Sequence, residues 1–291
     1  MTAGIGIALA FVAMLCWGFG DFMIQKSTRK VGDWETLFII TAFGTIVLLP
    51  FVLGRLPLLL HEPKGLLILL GAAVILTGAA IFELESFRKG KLAVVEPILP
   101  FEIPAAAIMA FLVLGDVVTA LQFALIGSLI IGLCLVSYAR KGVSKKILAE
   151  KGIYLGLIGA ALMGFADFFL GWGSRVIDPI MANFVLDLVM AVVSMVYLFS
   201  TGRLAQVSKD LRASPVLLIS MSISDNVGWV AYAFAMSIVP IAVATGLSES
   251  SVIIAVLLGL FINREKLHFH QKIGLAVAVI SALVLAAITS A

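Results

Sequence analysis

The stretch Trp17-Gly18-Phe19-Gly20-Asp21-Phe22 recurs 146 residues later as Met163-Gly164-Phe165-Ala166-Asp167-Phe168. Each copy lies late in a long apolar run, and each carries one carboxylate into it. A charge in lipid is costly, so an acid at membrane depth is a functional hypothesis by default. Its return together with a glycine and aromatic neighbours marks an internal duplication.

Around these two copies the chain is 62% hydrophobic and only 13% charged over 291 residues. Soluble domains run near 45–50% apolar and about 25% charged, so there is too little polar surface here for a soluble fold. Ten apolar segments can be bounded: 3–24, 35–54, 65–87, 92–114, 119–139, 152–174, 180–201, 214–237, 241–262 and 269–289. Each is close to the ~20 residues that a bilayer core requires. The reading is an all-α integral membrane protein of ten transmembrane helices. Residues 3–24 have no basic flank and are too long for a signal-peptide core, so they are expected to remain as a span. A basic linker, 141–151, separates a first five-span repeat, 1–140, from a second, 152–291. An odd number of spans per half forces the halves into opposite orientations, giving two inverted five-helix repeats.

The cations follow this plan. Loops 1–2, 3–4, 5–6, 7–8 and 9–10 hold 17 of the 20 Lys and Arg, and the other side has only Arg55, Lys64 and Arg175. Positive-inside logic puts the odd loops in the cytoplasm and both termini outside. Loop 3–4 is basic while its counterpart, loop 8–9 around Pro240, carries no charge. The charges therefore swap sides between halves, as an inverted pair requires. The duplication extends to Leu92-Ala93-Val94-Val95 and Ile241-Ala242-Val243-Ala244, offset by 149. At that same offset Asp116 falls on Glu265 and Gln122 on Gln271.

These residues resemble the drug/metabolite transporter superfamily, in particular its ten-span members with two EamA-type halves. The likeness rests on Cys16-Trp17-Gly18 in span 1 and on the Pro-containing start of span 4. It rests also on the acidic junctions Leu114-Gly115-Asp116 through Gln122 and Gly127, and Arg264-Glu265-Lys266-Leu267 through Gln271 and Gly274. It covers essentially the whole chain. The resemblance implies a central cavity lined by spans 1–4 and 6–9 and buttressed by spans 5 and 10. It also implies secondary transport by alternating access, often export of amino acids or related metabolites. Exporters of this family usually keep both termini in the cytoplasm, whereas the charge pattern here places them outside. Asp116 stands where Glu is more usual.

Nine of the seventeen acids fall inside the spans: Asp21, Glu83, Glu85, Glu96, Glu102, Asp167, Asp187, Asp225 and Glu249. No Lys or Arg lies deep in any span. Such carboxylates must face a cavity, find partners or carry protons. Glu83, Glu85 and Glu96 flank a basic loop and either pair with Arg88, Lys89 or Lys91 or serve the cavity. Glu102, Asp225 and Glu249 lie near the middle of spans 4, 8 and 9. Span 4 opens Glu96-Pro97-Ile98-Leu99-Pro100-Phe101-Glu102-Ile103-Pro104, and each interior proline removes a helical hydrogen bond. Freed carbonyls at this depth can line a cavity, or the prolines simply kink the helix. The repeat counterpart, Gly246 to Ser251, is small and polar and includes Ser248. In span 8, Asp225, Trp229 and Tyr232 recur at i, i+4 and i+7, one helical face, with Asn226 beside them. Trp17 sits four residues before Asp21 and repeats the arrangement. Acid and aromatics on one face suit an organic cation. The candidate substrate-binding or coupling residues are thus Glu102, Glu249, Asp225, Asn226, Trp229, Tyr232, Trp17 and Ser248. Asp21 and Asp167 read as gate or helix-orienting residues of two mouths, or as interfacial partners of cations such as Lys26. Pro97 and Pro100 join them as helix-orienting positions.

The expected function is secondary transport of an amino acid, amine or other organic cation across the cytoplasmic membrane. Export is the expected direction, and the proton is the candidate coupling ion. Two other classes compete. Gly18-Phe19-Gly20-Asp21 matches the G-x-G-D of intramembrane aspartyl proteases, although no Pro-Ala-Leu occurs in the chain. A channel or membrane scaffold is the other, though a scaffold would not need nine buried acids. No Gly-rich phosphate loop occurs, which excludes an ATP-driven pump in this chain. No enzymatic activity and no cofactor are expected. His268 and His270 stand without other clustered ligands, so no metal is expected either. Cys16 and Cys134 read as small core residues. The expected partners are a small-molecule substrate, the lipid bilayer and protons, with no nucleic acid, in a monomer or homodimer.

Overall fold

Backbone N–H and C=O groups at membrane depth have no water to bond, so apolar segments of this length satisfy them internally as helices. The computed structural model describes residues 2–89, 98–137, 151–254, 257 and 267–290. Among these, seven helices are long and apolar enough to cross a membrane: Ala3–Lys30 (span 1), Asp33–Arg55 (span 2), Pro63–Lys89 (span 3), Tyr154–Val176 (span 6), Pro179–Ser200 (span 7), Pro215–Ile238 (span 8) and Phe269–Ser290 (span 10). Three shorter apolar helices, Leu99–Leu114, Ala120–Val136 and Ile241–Ile254, stand at the places of spans 4, 5 and 9. Pro97, Glu96, Glu265, the Leu92–Val95 repeat and the 141–150 part of the linker lie outside the described residues.

Local chemistry sets several ends. Asp178 caps span 7 by accepting from Ile180 N at 2.9 Å and Met181 N at 3.1 Å, with Pro179 in the first turn where its missing N–H is harmless. Span 4 enters through a 3-10 turn, Leu99–Phe101, that contains Pro100, and stops at Gly115, whose φ of +66° only glycine adopts freely. Between spans 7 and 8 the chain forms a further helix, Leu204–Ala213, rather than the plain loop that its polarity suggests. Val207 packs inward from it while Lys209 and Arg212 remain on a polar face, as in a helix lying at an interface.

The inversion of the repeats is visible in two ion pairs. Glu35 at the start of span 2 binds Arg203 just past the end of span 7, at 2.6 Å. Arg55 at the end of span 2 binds Asp178 at the start of span 7, at 3.0 Å. Equivalent helices of the two repeats therefore run antiparallel. Helix pairing shows the same two-fold relation. The most extensive contacts join spans 3 and 6, 1 and 8, 5 and 10, and 2 and 7. Exchange of the repeats converts the first two into each other and leaves the last two unchanged. Among the next are 4 with 6 and 1 with 9, an exchanged pair, and 3 with 7.

The recurrent glycine is explained at this level. A Cβ on Gly18 would lie 2.6 Å from Ile254 Cβ and 3.0 Å from Ser251 O. A Cβ on Gly164 would lie 2.6 Å from Ala105 Cβ and closer still to Glu102 O. Span 1 meets span 9 through the same atoms by which span 6 meets span 4. The glutamines behave alike. Gln122 accepts from Thr119 N at 2.9 Å and donates to Thr289 Oγ1 of span 10 at 3.0 Å. Gln271 accepts from His268 N at 2.9 Å and donates to Val136 O of span 5 at 3.0 Å. Each caps its own helix and fastens it to the partner repeat.

Candidate functional site

Spans 1–4 and 6–9 enclose a cavity of about 110 Å³, to which the described parts of spans 5 and 10 contribute no lining residue. A single buried water takes about 10–15 Å³, so this space admits a small organic molecule or several waters. Seven carboxylates line it: Asp21, Glu83, Glu102, Asp167, Asp187, Asp225 and Glu249. No Lys, Arg or His appears among its described lining residues.

The repeat places many of these side chains in pairs. Trp17 and Met163, Asp21 and Asp167, Leu37 and Asn183, Ile40 and Leu186, and Thr41 and Asp187 all line the cavity, every pair 146 residues apart. Glu102 and Ser251, also on the wall, share the 149 offset of spans 4 and 9. The wall is therefore pseudo-symmetric in backbone but not in chemistry. Asp187 faces Thr41 across the two-fold, and Glu102 faces Ser251.

Glu102 and Asp167 are fully buried, at 4% and 2% exposure, whereas Glu83, Asp187, Asp225 and Glu249 open onto the cavity. The carboxyl groups of Glu102 and Glu249 lie within hydrogen-bonding reach of each other, and Asp167 is in electrostatic range of both. Asp167 Oδ2 is buried without a hydrogen-bond partner. Carboxylates this close are tolerated only with a proton or a cation between them. Asp225 lies near Asp187, and the Trp229 indole N–H is turned toward Asp225.

Three aromatic rings brace the site edge to face: Trp17 with Tyr232 at 5.1 Å, Trp17 with Trp229 at 5.3 Å, and Trp229 with Tyr232 at 6.0 Å. Trp17 and Trp229 reach the cavity. Tyr232 is fully buried beside them, hydrogen-bonded to Thr245 Oγ1 at 2.7 Å, with its hydroxyl also within hydrogen-bonding reach of Asp167. Ser248 also turns away from the cavity and donates to Ala10 O of span 1 at 3.3 Å. Asn226 is buried between spans 2 and 8, and both its N–H groups are used on the carbonyls of Ile40 and Ser222. Pro100 is buried in the turn that delivers Glu102. Asp21 and Asp167, read from sequence as belonging to two separate mouths, line the same cavity.

Glu83 is the acid that sequence reasoning places least well. Its neighbour Glu85 pairs with Lys89 and, at 3.8 Å, with Arg88. Glu83, two residues earlier, is rotated about 200° around the helix and faces the cavity. The loop cation Arg88 instead bonds the buried Asp33 at 2.9 Å. Helical phase relative to the loop cations is the signal that separates the two acids.

At the end of the bundle where spans 6 and 8 finish, Arg175 makes a two-pronged bridge to Asp116 at 2.8 and 2.9 Å. The same guanidinium donates to Met236 O at 2.8 Å and Val239 O at 3.0 Å, and Asp116 Oδ2 accepts from Ile241 N at 3.1 Å. One ion pair thus ties the ends of spans 4, 6 and 8 to the start of span 9. The other two cations of this end are also engaged, Arg55 with Asp178 and Lys64 with the Trp172 ring at 5.6 Å.

No curated protein matches the chain. A solved crystal structure superposes on it with a TM-score of 0.68, covering 96% of this chain and 95% of its own, at 17% identity, a likeness of fold alone. The model of the EamA-like transporter family matches residues 4–138 and again 150–287. Those two matches take in nearly the whole sequence, one per repeat, and the chain belongs to the EamA-like transporter family, a family of multi-pass membrane proteins.

Proposed function

We propose that the protein is a secondary transporter that exports a small organic cation or amine-bearing metabolite by alternating access. One observation carries this reading: seven carboxylates and two indoles line a cavity whose described wall holds no cationic side chain. A cation entering this space gains charge attraction and cation–π contact, while an anion meets uncompensated repulsion. Protons and the cation compete for the same oxygens at Glu102, Glu249 and Asp167, so loading one releases the other. That competition is the elementary step of proton-coupled exchange.

The Arg175–Asp116 cluster serves in this scheme as the latch of one gate, and Asp21 and Asp167 orient the helices that move. Two pseudo-symmetric halves supply two exchangeable gates. The basic odd-numbered loops lie in the cytoplasm and the Arg175 end outside, in the cell membrane. The protein works as a monomer or homodimer without cofactor.

The test is transport in proteoliposomes with Glu102→Gln and Glu249→Gln across pH 5–8. Loss of cation flux with a flattened pH profile is expected, and normal transport by both variants would refute the site. An aspartyl protease would use the same cavity, since Asp21 and Asp167 both face it. Covalent or tight labelling by an aspartyl-protease inhibitor would favour that reading over transport.

A further inference from the structure

The carboxylates of the cavity form two sets on different helices. Glu102, Asp167 and Glu249 come from spans 4, 6 and 9. Asp187 and Asp225 come from spans 7 and 8, beside span 2. Spans 2 and 7 make no substantial contact with spans 4 and 9, which sets Asp187 apart from Glu102 and Glu249, while span 8 with Asp225 touches spans 6 and 9. Glu83 of span 3 lies within electrostatic range of Glu249 on one side and Asp225 on the other. The rest of the lining is largely apolar and includes Ile40, Leu76, Leu186 and Met190.

One set holds a buried acceptor without a donor, and the other holds an amide oxygen crowded against a carboxylate oxygen. The first is Asp167 Oδ2, 98% shielded and without a partner. In the other set, Asn226 spends both amide hydrogens on Ile40 O at 3.1 Å and Ser222 O at 2.9 Å. Two backbone carbonyls can only accept, so they fix the orientation of the amide and leave Oδ1 as an acceptor. A Cβ on Gly44 would overlap both Asn226 Oδ1 and Asp187 Oδ2. Glycine there lets the two oxygens crowd one spot beside span 2. Two acceptors side by side require a proton donor or a cation between them.

We infer that the cavity holds two separate ammonium subsites, one at Asp187 with Asn226 Oδ1 behind it and one at Glu102, Asp167 and Glu249, and that its substrate is a linear diamine or polyamine. The apolar part of the lining takes the methylene chain in this arrangement, and Glu83 provides a station for a third amine. This deepens the transporter reading and rests on it for the direction of movement, though not for binding.

Binding to the purified full-length protein tests it. Isothermal titration at pH 7.5 and constant ionic strength compares n-alkylamines, α,ω-diamines of four to eight carbons, spermidine, and the matching diols. One diamine length should bind about tenfold or more tighter than the monoamine of equal carbon number, with diols not binding. Asp187→Asn should reduce that ratio to about twofold while keeping monoamine binding. Gly44→Ala should do the same with every charge retained, and Glu249→Gln should do so from the other subsite. Equal binding of monoamines and diamines at every length, or a preference that survives both Asp187→Asn and Glu249→Gln, overturns the inference. Flux in proteoliposomes separates the two readings. Diamine binding without flux removes the transporter reading and leaves the subsites. Monoamine flux without diamine preference does the reverse.

Discussion

Gly164 of span 6 presses its bare Cα against the carbonyl oxygen of Glu102, the residue that begins the helical part of span 4. The contact both closes two helices and sets the depth at which the Glu102 carboxyl enters the cavity. Gly164→Ala should therefore destabilise the protein by about 1–3 kcal/mol through overpacking and lower cation transport as well. Gly18→Ala, against Ser251 and Ile254, should show the same pattern. An unchanged thermal midpoint in detergent for both variants would contradict the packing described.

Glu83 and Glu85 should part company on mutation. Glu83→Gln removes a cavity charge and is expected to cut transport of a cationic substrate by roughly tenfold, the scale of one lost charge interaction. Glu85→Gln breaks only a partly exposed pair with Arg88 and Lys89, worth about 0–1 kcal/mol, and should leave transport within about twofold. Flux assays at matched expression read both.

The latch should act from one side only. In a protein with Cys16 and Cys134 replaced by Ser and a reporter at Ala80→Cys, a position of span 3 that lines the cavity, Arg175→Ala should speed labelling by a membrane-impermeant reagent added at the Arg175 end. Labelling from the other end should not change. The charge exchange Asp116→Arg with Arg175→Asp should restore slow labelling. Equal rates in Arg175→Ala and its parent would remove the gate assignment.

The bridge between Glu35 and Arg203 should be lopsided. Glu35 is 1% exposed and Arg203 is 43% exposed. Removing the arginine strands a carboxylate in the interior, whereas removing the acid leaves a guanidinium that water can take up. Arg203→Ala should thus cost about 2–4 kcal/mol, and Glu35→Gln under about 1 kcal/mol. Thermal unfolding midpoints rank them, and the opposite order would show the burial of Glu35 to be misplaced.

Acidification should weaken cation binding. Protons and the ligand share the oxygens of Glu102, Asp167 and Glu249, so the apparent Kd should rise as pH falls from 8 to 5. Titration of a bound amine against pH reads this directly, and a flat profile would separate binding from proton exchange.

Much of this architecture was legible in the sequence. The returning Gly-Phe-x-Asp and the constant offset of Gln122 and Gln271 disclosed the duplication because acids and amides are rare in apolar spans. The swap of basic loops disclosed the inversion. Helix partners were not legible: both lipid and protein interior are apolar, so the spans are nearly uniform around their circumference and do not advertise which face meets which neighbour. For that reason Ser248, polar and well spaced, turned out to bond span 1 rather than line the cavity. Asp187 and Glu83, which had competing interfacial or uncommitted readings, turned out to face the cavity. The helix Leu204–Ala213 was missed because its short, charged sequence resembles a loop, although Leu204, Val207 and Leu211 mark an apolar stripe.

The dominance of cross-repeat pairing also dictates an order of assembly. Span 1 finds its main partner in span 8, span 3 in span 6, and span 5 in span 10. When the first five helices have left the ribosome, none of their principal partners has yet been made, since chains are built from the N-terminus. The early half must therefore wait in the bilayer with Asp21, Glu83 and Glu102 unsheltered until the late half arrives to interleave with it. Biogenesis, more than the finished fold, is where these carboxylates are exposed to lipid. Holding that half-built intermediate is a task for the insertion machinery.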